Sequence, residues 1–313
     1  MNRPTLVQLR ALVALADTLH FGEAASRLGG SQPTVSGAVR GLEAALGVKL
    51  AERSSRKVVL TAAGAETVAR ARHVLDEVES MAEAAAGTQT AANERLLRLG
   101  VIPTVAPYIL APLLRALARW APRLRPEITE DQTARLLDEL VSGRLDALVL
   151  ALPAGCADIV ETPLYREDFV LLVPPQHPLA GKLGLGPEVL KGLRLLLLEE
   201  GHCLSSQALE VCRQAGAATN HPARAASLTT IAQLVAAGLG ATLLPATALP
   251  VETRKGRVAV AQFRAPAPGR QIGLVWRARS DRDSEYRQVA GYVRRGLNRP
   301  GVAGRVVGTG PLS

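Results

Sequence analysis

Apolar positions near the start of the chain recur at helical spacing. Leu6, Leu9, Val13 and Ala16 face one way after Thr5, a residue suited to capping a helix. A second short helix fits Gly22 to Leu28 and is broken by Gly29-Gly30. Ser31 can cap a third helix, with Pro33 in its first turn and Val35, Val39, Leu42 and Leu46 on one side. Two short helices around a glycine turn predict a helix-turn-helix, whose second helix can enter a DNA major groove. Its outer face carries Gln32, Thr34, Ser36 and Arg40, suited to base edges and phosphates. The basic run 51–57 and the apolar run 58–60 read as a two-stranded wing, where Arg53, Arg56 and Lys57 can meet phosphates. The competing reading of this head is a solvated bundle of charged helices.

Thr61 can cap a long helix reaching about Gly87. Within it Val68, Ala71, Leu75, Val78, Ala82 and Ala85 alternate steps of three and four, the spacing of a two-stranded seam, which predicts dimerisation through this helix. The alternative is that the stripe packs on its own domain. Residues 88–93 read as a polar hinge. From Leu96 onward, strands and helices alternate. Strands are expected at 96–102, 126–131, 145–152, 169–173, 193–198, 241–244, 258–263 and 272–276. Helices are expected at 105–120, 134–142 and 284–297. That alternation predicts a parallel sheet covered on both faces, in two α/β lobes with a cleft. The chain would cross out near Pro163 and return near Arg270. The expected class is therefore α+β multi-domain. Residues 1–61 would form the DNA-binding head and 62–92 the linker and dimerisation helix. Residues 93–300 would form a redox-sensing regulatory domain, with lobe I 93–163 and 271–300, lobe II 164–270, and a flexible tail 301–313.

Composition narrows the function classes. At 313 residues, 48% hydrophobic and 21% charged, the chain is ordinary globular material with room for about two domains. Three cysteines argue against a disulfide-stapled secreted module and fit a reducing, cytoplasmic setting. The longest apolar region, 229–251, is broken by Gln233, Gly238, Gly240 and Pro245, so it reads as a helix then a strand and no membrane contact is expected. The net charge of +9 suits an anionic partner. The head, with eight Lys/Arg against four Asp/Glu in 1–61, shares that sign, whereas 62–92 is acidic. No His/Cys set has zinc spacing and no glycine-rich phosphate loop follows a strand, so neither a metal nor a cofactor is expected.

The chemistry concentrates in residues 199–212. An apolar strand leads into Gly201-His202-Cys203, which places Cys203 at the start of a helix. Helix N-termini carry partial positive charge, which favours a thiolate, and His202 adds a hydrogen-bonding neighbour. A thiolate there can attack a peroxide and become a sulfenic acid, which Cys212 can resolve. Nine residues of helix rise about 13.5 Å, whereas a disulfide needs Cα atoms about 4.4–6.8 Å apart. The two cysteines can therefore join only if the helix unwinds, a discrete shape change of the kind a switch requires. Equally open from these residues is that both are small buried apolar groups. Cys156, with no polar motif around it, is left outside the switch.

Ala24-Ala25-Ser26-Arg27-Leu28, Ser31-Gln32-Pro33-Thr34-Val35-Ser36, Leu42-Glu43, Leu46-Gly47, Leu50, Arg53 and Leu60-Thr61-Ala62-Ala63-Gly64 together resemble the LysR-type transcriptional regulators. The resemblance implies a winged helix-turn-helix in which Gln32, Pro33, Thr34, Ser36, Arg40 and Arg53 meet DNA. It also implies a periplasmic-binding-protein-like regulatory domain. Gly201-His202-Cys203-Leu204, Gln207-Ala208 and Cys212 resemble the hydrogen-peroxide-sensing members of that family. The match extends to residues 100–108, Gln132-Thr133, 225–228, 235–238 and 272–275. By that resemblance Cys203 is the peroxidatic cysteine and Cys212 the resolving one, and Thr104, Thr133, His202 and Arg270 line a peroxide pocket. Ser205-Ser206 departs from the Arg-Asp usual in those members; Ser206 keeps a hydrogen-bonding oxygen in the expected pocket but loses a carboxylate.

The resemblance implies a sequence-specific regulator of antioxidant genes, not an enzyme. It would act on double-stranded operator DNA as activator or repressor, as a homodimer or homotetramer. RNA polymerase and a thioredoxin- or glutaredoxin-type reductant are implied partners. Two other readings stand beside it. One is a LysR-type regulator answering a small metabolite in the cleft. The other is a thiol peroxidase using the same cysteines, against which the basic head argues.

Overall fold

Ser, Thr and His side chains open the helices of the N-terminal part. Thr5 caps α1 (Leu6–Thr18) in a reciprocal box with Gln8, and Ser31 accepts from Thr34 N–H at the start of α3 (Gln32–Leu46). Between them, α2 (Phe21–Arg27) is capped by His20 Nδ1, which accepts from Glu23 N–H at 3.3 Å. Thr61 Oγ1 accepts from Gly64 N–H at 2.9 Å as α4 (Ala62–Ala85) begins. A computed structural model supplies this geometry and describes residues 3–53, 58–85, 95–199, 201–217, 224–254 and 256–297. The chain divides into two compact units, Met1–Arg95 with Asp138–Leu145, and Leu96–Leu137 with Asp146–Ser313.

In the first unit α1, α2 and α3 pack on Ala11, Leu15, Phe21, Ala24, Val35 and Val39, beside a second cluster of Leu12, Leu42, Leu50 and Val68. Each buried leucine there contributes about 1.5–3 kcal/mol. The wing is β1 (Ala51–Arg53) antiparallel to β2 (Val58–Leu60). Glu43 fixes its root, accepting from Leu50 N–H at 3.0 Å, from Ala51 N–H at 3.4 Å and from Lys49 Nζ at 3.0 Å. Gly64 must lack a side chain, because a Cβ would lie 1.9 Å from the Leu50 carbonyl oxygen.

The seam expected along α4 needs correcting at its start. Val68 and Ala71 are buried within the chain itself, Val68 against Leu12, Leu42 and Leu50. A stripe at this spacing does not say which surface it meets, and here the head supplies one. Leu75 and Val78 are half-buried; Ala82 and Ala85 lie in the helix, and their side chains are outside the described ones. Arg56, Lys57, the hinge 88–93 and the tail 301–313 also lie outside the described residues.

The second unit is built on a seven-stranded sheet. Its elements are β3 (Arg95–Val101), α5 (Ala106–Trp120), β4 (Leu124–Glu130), α6 (Thr133–Val141), β5 (Ala147–Leu152), β6 (Ile159–Val173), β7 (Leu197–Leu198), α7 (Cys203–Gln214), β8 (Arg224–Ala225), α8 (Leu228–Ala236), β9 (Thr242–Pro245), α9 (Leu249–Glu252), β10 (Ala259–Gln262), β11 (Gly269–Arg277) and α10 (Asp283–Leu297). The order is β10-β6-β11-β5-β3-β4, with β9 also on β6, and β7 pairs with β8 separately. The expected parallel sheet is not what forms. β3 and β5 are parallel, but β5–β11, β11–β6, β6–β10 and β6–β9 are all antiparallel. Strand–helix alternation holds from β3 to β5 and again from β7 to β10, where β7 and β8 are parallel as well. Outside these stretches the long strands β6 and β11 run side by side as out-and-back passages, and the bulge between Ile272 and Gly273 opposite Pro163 falls inside them.

Among the described residues no helix is long and apolar enough to cross a membrane.

Candidate functional site

The redox candidate is assembled by three segments of the second unit. The first is the turn into α7. Gly201 has φ +97°, and a Cβ there would meet Gln132 Oε1 at 2.3 Å, so glycine alone lets the chain pass against Gln132 at the start of α6. His202 then takes the N-cap position without a side-chain capping bond, and Cys203 is the first residue of α7, half-buried. Leu204, Ala208 and Cys212 recur every four residues and are buried, which fixes the inner face of the helix.

The second and third segments are β6 and β11, where Glu167 and Arg270 are cross-strand partners. Their side chains are 2% and 1% exposed. Arg270 Nε donates to Glu167 Oε1 at 2.6 Å, Nη1 to Thr104 Oγ1 at 2.9 Å and Nη2 to Thr104 O at 3.0 Å. The same Nη1 lies 3.9 Å from Cys203 Sγ. Thr247 Oγ1 donates to Glu167 Oε2. Burial alone would pull the guanidinium's pKa down, but Glu167 and the sulfur outweigh it and hold Arg270 above its ordinary value. Burial, with Glu167 nearby, pushes the fully buried Tyr165 hydroxyl well up, so that phenol stays neutral. The result is a fixed, desolvated cation aimed at a cysteine sulfur.

The two cysteines are free and differ in setting. Cys212 is fully buried among Leu171, Leu190, Leu195, Leu197 and Ala208, and burial pushes its thiol up. With α7 intact the two Cα atoms are separated by a rise of about 13.5 Å. No bond forms between them in this conformation.

Of the expected pocket residues, Thr104, Arg270 and Cys203 are brought together. His202 is buried, and its Nδ1 has no hydrogen-bond partner; Thr133 Oγ1, next to Gln132, is likewise buried without one. Two orphaned polar atoms flanking the Cys203 turn suit a small polar ligand. Ser206 lies one turn along α7 from Cys203. It is exposed on the outer face of α7, lining an open cavity of about 520 Å³ with Phe169, Gln207, Glu210 and Pro268. Its position two residues past Leu204 turns it out of the packed inner face. Cys156 is half-buried, donating to Ala157 O at 3.3 Å.

Glu167, Thr247 and Tyr165 were not singled out from the sequence. A signal was present: period-two alternation along Tyr165, Glu167 and Phe169 points all three inward, and an inward carboxylate requires a cation. What that alternation does not reveal is that the cation lies 103 residues further along the chain.

In the first unit, Gln32, Pro33, Thr34 and Arg40 are exposed on α3. Ser36 is buried, so as folded it offers little surface to a base edge. Arg53 ends β1, and its side chain is not among those described. No group of three or more His, Cys, Asp or Glu able to hold a metal occurs among the described residues.

Comparison with known proteins adds the following. Residues 6–65 match the bacterial regulatory helix-turn-helix protein, lysR family, and residues 90–298 match the LysR substrate binding domain. A probable hydrogen peroxide-inducible genes activator of Streptomyces viridosporus is 51% identical over 298 residues, 95% of each chain. Among solved structures, full-length OxyR carrying a cysteine substitution, from Pseudomonas aeruginosa, aligns with TM-score 0.76 at 37% identity, over 97% of each chain. A hydrogen-peroxide-bound OxyR cysteine mutant from Corynebacterium glutamicum aligns with TM-score 0.65 at 43% identity, over 95% of each chain.

Proposed function

This chain belongs to the LysR family of bacterial transcriptional regulators, and from that footing we propose that it is a DNA-binding regulator switched by hydrogen peroxide. The observation that carries the reading is Arg270 Nη1 held 3.9 Å from Cys203 Sγ, at a helix start flanked by the orphaned His202 Nδ1 and Thr133 Oγ1. A negative charge on that sulfur would interact with the guanidinium by about 4 kcal/mol at an effective dielectric near 20, less where solvent reaches the half-buried thiol. The imidazole and hydroxyl supply polar contacts for the two peroxide oxygens.

The chemistry balances with these residues. The Cys203 thiolate attacks one peroxide oxygen; an S–O bond forms and the O–O bond breaks. The sulfur gives up two electrons and the leaving hydroxide takes a proton from solvent to become water. Arg270 can donate to the departing oxygen as its charge grows. The Cys212 thiol then attacks the sulfenic sulfur, forming the disulfide and releasing a second water. Because α7 holds the sulfurs apart, closure requires residues 203–212 to unwind and strip Leu204, Ala208 and Cys212 from their packing. A dithiol reductant of thioredoxin or glutaredoxin type restores the thiols.

The output side is α3 in the major groove, with Gln32, Pro33, Thr34 and Arg40 presented and Ser36 contributing less, and Arg53, Arg56 and Lys57 of the wing on phosphates. The regulator acts as a homodimer or homotetramer in the cytoplasm, joined through α4 from Leu75 onward, and engages RNA polymerase when oxidised. Residues 1–61, 62–92 and 93–300 serve as reader, linker and sensor.

The test is an operator footprint before and after peroxide, for the wild type and Cys203→Ser. The wild-type footprint should change and that of Cys203→Ser should not. An oxidant-induced change that persists in Cys203→Ser would reject the reading in favour of another sensor, a cleft-bound metabolite included.

A further inference from the structure

We propose that Glu167 is a positioning residue for the oxidation of Cys203: it fixes the Arg270 guanidinium in the rotation that aims Nη1 at the sulfur. This rests on the peroxide reading above and deepens it.

An arginine side chain carries about 2 kcal/mol of rotamer entropy, so one that must meet a reacting atom needs anchors. Here the anchors divide the fork. The Nε edge is taken by Glu167 Oε1 at 2.6 Å and Nη2 by Thr104 O at 3.0 Å. That leaves Nη1 facing Thr104 Oγ1 and Cys203 Sγ. Glu167 is itself immobilised from the far side, since Thr247 Oγ1 donates to Oε2 and commits both carboxylate oxygens. The backbone supports the same geometry, because Glu167 and Arg270 face each other in the β6–β11 register. A carboxylate serving only to neutralise the buried cation would work from either edge of the guanidinium. The observed choice of the Nε edge keeps the carboxylate off the sulfur-facing Nη1. During S–O bond formation and O–O cleavage, charge develops on the departing oxygen, and a guanidinium already oriented stabilises it without reorganising.

The experiment uses the full chain. Loss of the Cys203 thiol is timed with hydrogen peroxide and, separately, with iodoacetamide across pH, for the wild type, Glu167→Gln, Glu167→Asp and Thr247→Val. Rates are compared where alkylation no longer rises with pH. There alkylation reports the thiolate itself and peroxide additionally reports the aimed donor. The expected result is alkylation within about two-fold across the set. The peroxide rate should fall about ten-fold in Glu167→Gln and about three-fold in Thr247→Val, and recover partly in Glu167→Asp. These losses are smaller than the 10²–10³ for deleting a direct donor because Arg270 remains. Thermal unfolding identifies folded variants. If Glu167→Gln does not fold, Thr247→Val decides, since it removes one hydroxyl and keeps the ion pair. An unchanged ratio of the two rates in the folded variants overturns the role of Glu167. A wild-type thiol that peroxide leaves untouched sinks the peroxide reading instead, a distinct outcome.

Discussion

Ser206 offers a way to separate the two chemical steps. It is the fourth residue of α7 and is exposed, on the face opposite the packed Leu204. Substitutions there strip no packing from the inner face and act on the stability of the helix. Glycine is about 1 kcal/mol less favourable than alanine in a helix, with serine between them. If closure of the disulfide proceeds through an unwound α7, that difference appears in the population of the open segment. At 1.36 kcal/mol per factor of ten, Ser206→Gly should close about five times faster than Ser206→Ala, with the wild type intermediate. Sulfenic acid formation should be equal in all three, because the contacts of Arg270 with Cys203 and Thr104 do not involve Ser206. The assay is rapid-quench mass spectrometry after one equivalent of peroxide, following sulfenic and disulfide species separately. Equal closure rates, or alanine closing faster than glycine, would refute the unwinding argument. A loss of sulfenic acid formation in both variants would return Ser206 to the peroxide pocket.

Arg270→Met removes the cation and strands Glu167 in the interior. Stability should fall by about 3–5 kcal/mol in urea unfolding, and the rate of Cys203 oxidation by 10²–10³ in stopped flow, roughly the effect of losing a direct donor. A rate within three-fold of wild type would remove Arg270 from the mechanism. Gly64→Ala forces a methyl to within 1.9 Å of the Leu50 carbonyl oxygen, which also accepts Thr61 N–H at 3.0 Å. The head should lose about 2–4 kcal/mol, the sum of an overpacked contact and a weakened hydrogen bond, measured by calorimetry. Glu43 sets an acid limit. Burial pushes its carboxyl up, but Leu50 N–H, Lys49 and Ala51 N–H together hold it below 4.5. Its contribution is complete above the unfolded value and is lost as pH falls through the lower folded one. Melting of the head should therefore drop below about pH 4.5, less steeply in Glu43→Gln; identical slopes would discount the carboxylate.

What could be read from the sequence was local. Thr5, Ser31 and Thr61 announce helix starts because a capping side chain acts within three residues, and Cys203 at a helix start follows from the strand and Gly201 before it. His20 caps α2 equally well but is outside the usual capping set, so the sequence does not flag it. The exposure of Ser206 was legible in the sequence as well. Leu204, Ala208 and Cys212 at steps of four set the phase of α7, and that phase turns residue 206 outward. The first turns of the α4 stripe show a different limit. Val68 is apolar at seam spacing, but spacing cannot choose between a partner helix and Leu12, Leu42 and Leu50 of the same chain. Long-range pairing was the least accessible. The register that sets Glu167 against Arg270 depends on β6 running ten residues further toward its N-terminus than its apolar stretch 169–173 suggests.

Disulfide closure turns on whether α7 opens before the sulfurs can meet. Hydrogen exchange read by peptide mass spectrometry on the full-length protein, reduced and after peroxide, tests this directly when combined with mapping of thiols. The expected result is a peptide cross-linked through Cys203 and Cys212, with the amides of residues 204–211 protected in the reduced protein and exchanging freely in the oxidised one. A cross-link with those amides still protected, or two intact thiols after peroxide, would contradict it.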